Sequence, residues 1–333
     1  VTHLRPAPRR MRRVPAALLA VIIGAAALTA CGGDDKAKGD DEAGAGTGFP
    51  RTVTHAMGST EIKHKPKRVV VLDTGELDDV TMLGIDPVGA VSPHMKTEGG
   101  FPQYLAAKTK DTKDVGPMAE PNIERIISLK PDLILSSKVR HAKVYDRLKD
   151  IAPTVFTETT GAPWKENLKV HARALGLEKE AQTAMAAYEK RARTLGEEIR
   201  KKNGGTMPTA SVVRFVAGPT RLYQKASFSG IVLSDVGLRR PASQDVDAAM
   251  TDVSPEQIDK ADADLVFVTV ADDPKKTQQG AVQANPLWKG LGAVKNDKVV
   301  QVPDETWMSG IGIQAANHVV DDIAKAAGVD APK

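Results

Sequence analysis

Few residue types in this 333-residue chain are able to do chemistry, and most of them are scattered. His55, His64, His94, His141, His171 and His318 stand apart, without the i, i+4 pairs or cysteine partners that make a convincing zinc or manganese site. No metal ligands are assigned on this basis, and a bare metal ion is not the expected ligand. Gly310-Ile-Gly312-Ile-Gln-Ala315 formally fits a dinucleotide fingerprint, yet a phosphate-cradling turn must follow a strand directly. Here the nearest strand signal ends around Val302, and too little sequence follows for another strand-helix-strand unit. Ser229-Gly230 lacks the preceding glycine of a nucleophile elbow, and no other catalytic constellation stands out, so an α/β enzyme is the less favoured reading. What remains is contact chemistry. Arg214 lies between Val213 and Phe215 beside a Gly-Pro turn, which predicts a place at a strand end, and Arg140 follows an apolar strand. Tyr223 sits near a turn, and Trp307-Met308 occupies a Gly-flanked loop where an indole is costly to leave in water.

An α/β framework must position these side chains. After a hairpin over 52–64, the run Arg68-Val-Val-Val-Leu72 reads as a parallel strand buried on both faces. A helix over 76–83, a strand over 87–91, a helix over 121–129 and strands over 132–136 and 154–156 complete a first block with a parallel sheet. From 164 to 202 the Ala, Glu, Lys and Arg content predicts helix, broken only at Gly176. Its second piece would span roughly 36 Å at 1.5 Å per residue, a suitable spacer. A second block follows with strands over 210–216, 265–270 and 299–302 and helices over 230–236, 255–261 and 313–327. The blocks share a phrase: Pro121-Asn-Ile-Glu124-Arg-Ile then Lys130-Pro-Asp-Leu-Ile-Leu135 is echoed by Ser254-Pro-Glu256-Gln-Ile then Ala261-Asp-Ala-Asp-Leu-Val-Phe267. The expected architecture is two Rossmann-like lobes joined by a long rigid helix, with a ligand cleft between them.

Charge and hydropathy separate the front end from the rest. The 46 basic and 42 acidic residues give a net charge of +4, but residues 1–30 hold five arginines and no acid. Without that segment 41 basic residues face 42 acidic ones, so no nucleic-acid partner is expected. Arg9 to Arg13 form a positive region, an apolar run over 16–27 follows, and Leu28-Thr29-Ala30-Cys31 closes it. This reads as a lipoprotein leader cut before Cys31, the only cysteine, which then carries acyl chains on the extracytoplasmic face of the cell membrane. The arginine pairs leave Sec and twin-arginine export both open, and Val1 suggests a non-AUG start with Met11 as the alternative initiator. The Gly- and Asp-rich stretch after Cys31 reads as a tether. The expected organisation is a leader over 1–30, a tether over 31–50, a first lobe over 51–162, the connecting helix over 163–204 and a second lobe over 205–330.

Pro66-Lys-Arg-Val-Val-Val, Asp114-Val-Gly116 with Glu120-Pro-Asn-Ile-Glu-Arg-Ile, Leu129-Lys-Pro-Asp-Leu-Ile, Ser254-Pro-Glu-Gln-Ile and Asn285-Pro-Leu-Trp-Lys-Gly-Leu resemble the substrate-binding lipoproteins of iron-siderophore and cobalamin ABC importers. The resemblance runs from about residue 52 to 329. It implies a monomer that captures its ligand outside the membrane and hands it to an ATP-driven permease. Val212-Val-Arg214-Phe215, Arg221-Leu-Tyr223, Ser227-Phe228-Ser-Gly230 and Asp235-Val-Gly-Leu-Arg-Arg-Pro241 are similar to the ferric hydroxamate branch, including ferrioxamine binders. By that likeness the ligand is a ferric siderophore whose iron is held by the siderophore, with no resident cofactor. Arg214 would donate to its oxygens, Tyr223 and Trp307 would pack against it, and Met308, Arg140 and Phe228 would line the cleft. Met118 stands where some hydroxamate binders carry an arginine. Glu124 and Glu256, one per lobe, match the family's pair that docks on the permease. Cobalamin or haem is the alternative ligand, with Tyr223 as a potential axial group.

Overall fold

The computed structural model describes residues 48–93 and 100–333. The leader over 1–30, Cys31, the tether up to residue 47 and His94 lie outside the described residues. The hairpin of β1 (Arg51–His55) and β2 (Gly58–Ile62) pairs antiparallel as expected. A five-stranded sheet follows: β3 (Val69–Val71), β4 (Gly89–Ser92), β5 (Lys113–Pro117), β6 (Leu133–Ser137) and β7 (Thr154–Thr157), in the spatial order β5-β4-β3-β6-β7 and parallel throughout. Its connections carry α1 (Thr74–Met82), α2 (Ala106–Thr109), α3 (Ile123–Ser128), α4 (Lys138–His141) and α5 (Tyr145–Lys149). Then come α6 (Trp164–Leu175) and the 25-residue α7 (Glu178–Lys202), parted by Gly176 in the left-handed conformation that ends the first of them.

The second sheet holds β8 (Ala210–Phe215), β9 (Thr220–Tyr223), β10 (Met250–Val253), β11 (Leu265–Val270) and β12 (Val299–Gln301) in the order β10-β9-β8-β11-β12. Around it lie α8 (Phe228–Val236), α9 (Gln279–Ala284), α10 (Pro286–Gly290), α11 (Gly292–Lys295) and α12 (Ile313–Ala327), and residues Pro255–Ala261 form a tighter 3-10 segment. The sheet is mixed, because β9 and β10 run antiparallel to their neighbours. Each lobe thus has a five-stranded sheet, and α7 bridges the two.

The internal repeat has a structural cause. β6 and β11 occupy the same place in their sheets, second from one edge. The aspartate before each strand ties down the start of the neighbouring parallel strand. Asp132 accepts the backbone N–H groups of Lys67 and Arg68, both at 2.8 Å, and Asp264 accepts that of Thr209 at 2.7 Å. These ladders leave little freedom of register, so the ends of the central strands are fixed.

One continuous core crosses both lobes. Trp164 at the start of α6 meets Tyr188 of α7 and Phe228 of α8 edge-on, with ring centroids 5.4 and 5.7 Å apart. Such pairs contribute roughly 0.5–1.5 kcal/mol each beyond simple burial. Around them Tyr188 donates its hydroxyl to Asp235 of α8 at 2.7 Å, and Lys165 of α6 reaches the same carboxylate at 2.8 Å. Phe228 is therefore a core residue, not a cleft wall: its ring is needed to fasten α8 to the junction of the two lobes.

Gly196 lets α7 and α8 touch backbone to backbone, since a Cβ there would sit 2.0 Å from the Val236 carbonyl oxygen. Gly196→Ala should lower stability by about 1–3 kcal/mol, because overpacking against backbone outweighs the gain in helix propensity. Chemical denaturation checks this. A gain of about 1 kcal/mol, the propensity effect alone, would mean that the helices are not in close contact.

Candidate binding site between the lobes

Parallel strands deliver the side chains that follow them to one edge of the sheet, which is where open α/β folds bind ligands. In the first lobe Asp73 follows β3 and caps α1, accepting the Thr74 backbone N–H at 2.7 Å. Arg140, on α4 just past β6, donates Nε–H to the other Asp73 oxygen at 2.8 Å. In the second lobe Arg214, near the end of β8, grips Asp304 past β12 with Nε at 2.6 Å and Nη2 at 2.7 Å. Its Nη1 donates to the Tyr223 hydroxyl at 2.9 Å. Thr269 of β11, beside Arg214 in register, donates to Asp304 at 2.5 Å, and Ser309 does so at 3.2 Å. The two halves meet where the Thr74 hydroxyl donates to the Ser309 carbonyl. A hydrogen-bonded path thus runs from Arg140 to Arg214 across the lobes.

Burial opposes the charge on Arg214, but the charge and hydrogen bonds of Asp304 outweigh it and leave its pKa above the ordinary guanidinium value. The side chain of Arg214 is 17% exposed and that of Arg140 35%, whereas those of Asp304 and Asp73 are at 2% and 1%. The acids are nearly sealed, while the arginines, Arg140 above all, keep part of their surface exposed. A planar fork of fixed donors suits a ligand rich in carbonyl, hydroxamate or carboxylate oxygens.

Arg214, Tyr223 and Arg140 are brought together by this path. Other expected ligand contacts are not. Trp307 is fully buried: residues Glu305–Ser309 wind into a π-helical turn that lays the indole on Phe267, 4.5 Å between centroids, with Nε1 donating to Asp322 at 2.8 Å. The cost of exposing an indole is avoided by core packing, not by a ligand. Met308 is buried in the same core. Met118 is buried beneath the first sheet, and its carbonyl accepts Nε2–H of His141, a buried imidazole whose Nδ1 takes the Ser136 hydroxyl. Burial lowers the His141 pKa, in keeping with this neutral, structural ring. Glu124 on α3 and Glu256 on the 3-10 segment are exposed, one on each lobe. A surface hollow of about 450 Å³ lies beside Glu124, lined in part by Gly116, Glu120, Arg125 and Arg147.

Asp73, Thr74, Thr269, Asp304 and Ser309 escaped sequence reasoning. The available signal was an acid directly after an apolar strand, as in Leu72-Asp73 and Val302-Pro-Asp304. The Gly310-Ile-Gly312 motif also finds its explanation. A Cβ on Gly312 would fall 2.4 Å from the Asp78 carboxylate, which accepts the backbone N–H groups of Gln314 and Ala315 at 3.0 Å each. The N-terminus of α12 is an anion site filled by the protein's own Asp78, with Tyr104 donating to the same group at 3.0 Å.

Residues 69–306 match the family model described as periplasmic binding protein, most of the chain. The chain belongs to the periplasmic binding protein family. It is 39% identical to the probable siderophore-binding lipoprotein YfiY of Bacillus subtilis, over 92% of this chain and 94% of that one. It is 34% identical to the Fe(3+)-citrate-binding protein YfmC of the same organism, over 83% and 85%. The crystal structure of Staphylococcus aureus SirA complexed with staphyloferrin B superposes with a TM-score of 0.77 at 36% identity, covering 85% of this chain and all of that one. Membership assigns a binding protein and not an enzyme, and the two lobes bridged by α7 are the architecture these relatives share.

A buried acid cluster lies on α1. His171 of α6 contacts Asp79 at 2.7 Å, and Glu76 lies 3.9 Å from its other ring nitrogen. Burial first, then Asp73, pushes the Glu76 carboxyl from 4.5 up to about 8, and burial with Asp79 pushes Asp78 up to about 7. Burial raises Asp79 and lowers His171. The folded state holds the carboxyl protons more tightly than the unfolded chain, so their stabilisation is full below the ordinary carboxyl range and is lost as pH rises through the raised values. As pH rises above 6.5 the unfolded chain's histidine also loses its proton, so His171 opposes this trend progressively less. Stability should fall by about 1–2 kcal/mol between pH 6.5 and 8, and Glu76→Gln should flatten the slope. Denaturation midpoints across that range test it; parallel slopes for wild type and variant would contradict the assignment.

Proposed function

We propose that this chain captures a ferric siderophore outside the cytoplasmic membrane, between its two lobes, and delivers it to the permease of an ABC importer for iron uptake. The observation that carries the reading is the partly exposed Arg214 and Arg140, each backed by a buried carboxylate and joined through Thr74 and Ser309. Donors of this kind suit the oxygen-rich surface of an iron chelate whose metal is already satisfied. The ligands of YfiY, YfmC and SirA, a siderophore, ferric citrate and staphyloferrin B, support the class.

Within that class the favoured ligand is a ferric hydroxamate of the ferrioxamine kind, contacted by Arg214, Tyr223 and Arg140. Ferric citrate is the second reading, favoured by the 34% identity to YfmC. The leader over 1–30 and Cys31 would anchor the protein by lipid on the outer face of the membrane, with the tether over 31–50 leading to a first lobe over 51–162, the connector over 163–204 and a second lobe over 205–330. Glu124 and Glu256 would dock on the permease as one acid per lobe, and the receptor would act as a monomer.

Titration of intrinsic tryptophan fluorescence with ferrioxamine, ferrichrome, ferric citrate, a ferric catecholate, haem and cobalamin tests the class. Saturable quenching by an iron chelate is expected, and silence from every chelate would contradict it. Arg214→Lys keeps the charge beside Asp304 but loses the fork, and should weaken chelate binding by about tenfold, the scale of one charge-assisted hydrogen bond. Unchanged affinity would remove Arg214 from the site. Glu124→Ala combined with Glu256→Ala should leave affinity intact and reduce uptake into cells; undiminished uptake would refute the docking role.

A further inference from the structure

Each guanidinium at the cleft is matched with a carboxylate of its own lobe, and both acids are nearly sealed from water. Arg214 spends donors on both Asp304 oxygens and on Tyr223, and Arg140 spends one on Asp73; the remainder of each arginine's five N–H groups is left for a partner. The acids are fixed in turn. Asp304 is held by Thr269 and Ser309, and Asp73 by the first backbone N–H of α1. Such a pair keeps its hydrogen-bond donors while its net charge is cancelled in place.

Resting on the capture of a ferric siderophore proposed above, we infer that Asp73 and Asp304 are positioning residues that set the charge of the accepted ligand. They cancel the charge of these two cationic side chains while keeping their donors, which favours neutral ferric chelates over polyanionic ones. Hydroxamate groups bind ferric iron as monoanions, so a tris-hydroxamate cancels the metal's charge and still presents partly negative oxygens. A compensated arginine satisfies those oxygens without having to leave a bare cation in a poorly hydrated cleft. A polyanion such as ferric citrate gains from an uncompensated positive field, and the two buried acids cancel the share that these two arginines would supply.

The test measures the affinities of wild type, Asp304→Asn and Asp73→Asn for a neutral tris-hydroxamate, ferrioxamine E, and for ferric citrate, at low and high salt. Wild type should prefer the hydroxamate with little salt dependence. Each variant uncovers one guanidinium charge, so the ratio of affinities should move toward citrate by about tenfold or more, and citrate binding should become salt-sensitive. A purely structural role would weaken both chelates alike and leave the ratio unchanged, and that result in the folded variants overturns the inference. Should Asp304→Asn fail to fold, Asp73→Asn carries the same test, because the arginine it uncovers is the more exposed one. A wild-type preference for citrate overturns the inference while leaving siderophore capture standing. Binding of neither chelate overturns it as well, and the fluorescence titration with catecholate, haem and cobalamin then reports separately on the class.

Discussion

An arginine near the buried end of a parallel strand must find a carboxylate or forfeit its place, and this requirement organises the cleft. The two lobes meet it with opposite arrangements. In the first, the acid follows the central strand β3 and the arginine follows its neighbour β6; in the second, the arginine sits on the central strand β8 and the acid follows the edge strand β12. Each nearly sealed carboxylate would be left unpaired without its arginine, so the partners hold each other in position. Because Thr74 and Ser309 join the pairs, the lobes are registered against one another at the floor of the site.

Two further ties make the lobes act as one body. Asp78 of the first lobe caps the N-terminus of α12, and the ring cluster of Trp164, Tyr188 and Phe228 fastens α6, α7 and α8 into a core shared by both sheets. With the spacer helix built into that core, large hinge closure would have to break packed contacts and buried hydrogen bonds. The donors of the candidate site are thus held in place before any ligand arrives.

The fold was legible where burial on both faces writes a continuous apolar run, as in β3, β6, β8 and β11, and where composition favours helix over a long span, as in α6 and α7. The strands β5 and β10 were not, because Lys113-Asp114 and Asp252 put charged side chains on sheet edges that face solvent. Helix α1 defeats hydropathy altogether: eight of its nine residues are buried although Glu76, Asp78 and Asp79 are among them, since α6 and α12 supply the partners. At the candidate site, Arg214, Tyr223 and Arg140 were proposed from residue type and position, and the structure links them through hydrogen bonds. Their anchoring acids lie 90 and 67 residues away in sequence, and only the sheet order brings them close. Trp307 misled for a related reason, as a π-helical turn redirected a side chain that loop composition would leave at the surface.

A crystal structure of the complex with a ferric tris-hydroxamate tests the central claim most directly. The account predicts the chelate between the lobes, its oxygens within hydrogen-bond reach of the free N–H groups of Arg214 and Arg140. Asp304 and Asp73 should still be on their arginines, with all iron ligands coming from the chelate. A protein side chain on the iron, or a chelate seated away from both guanidiniums, would contradict it.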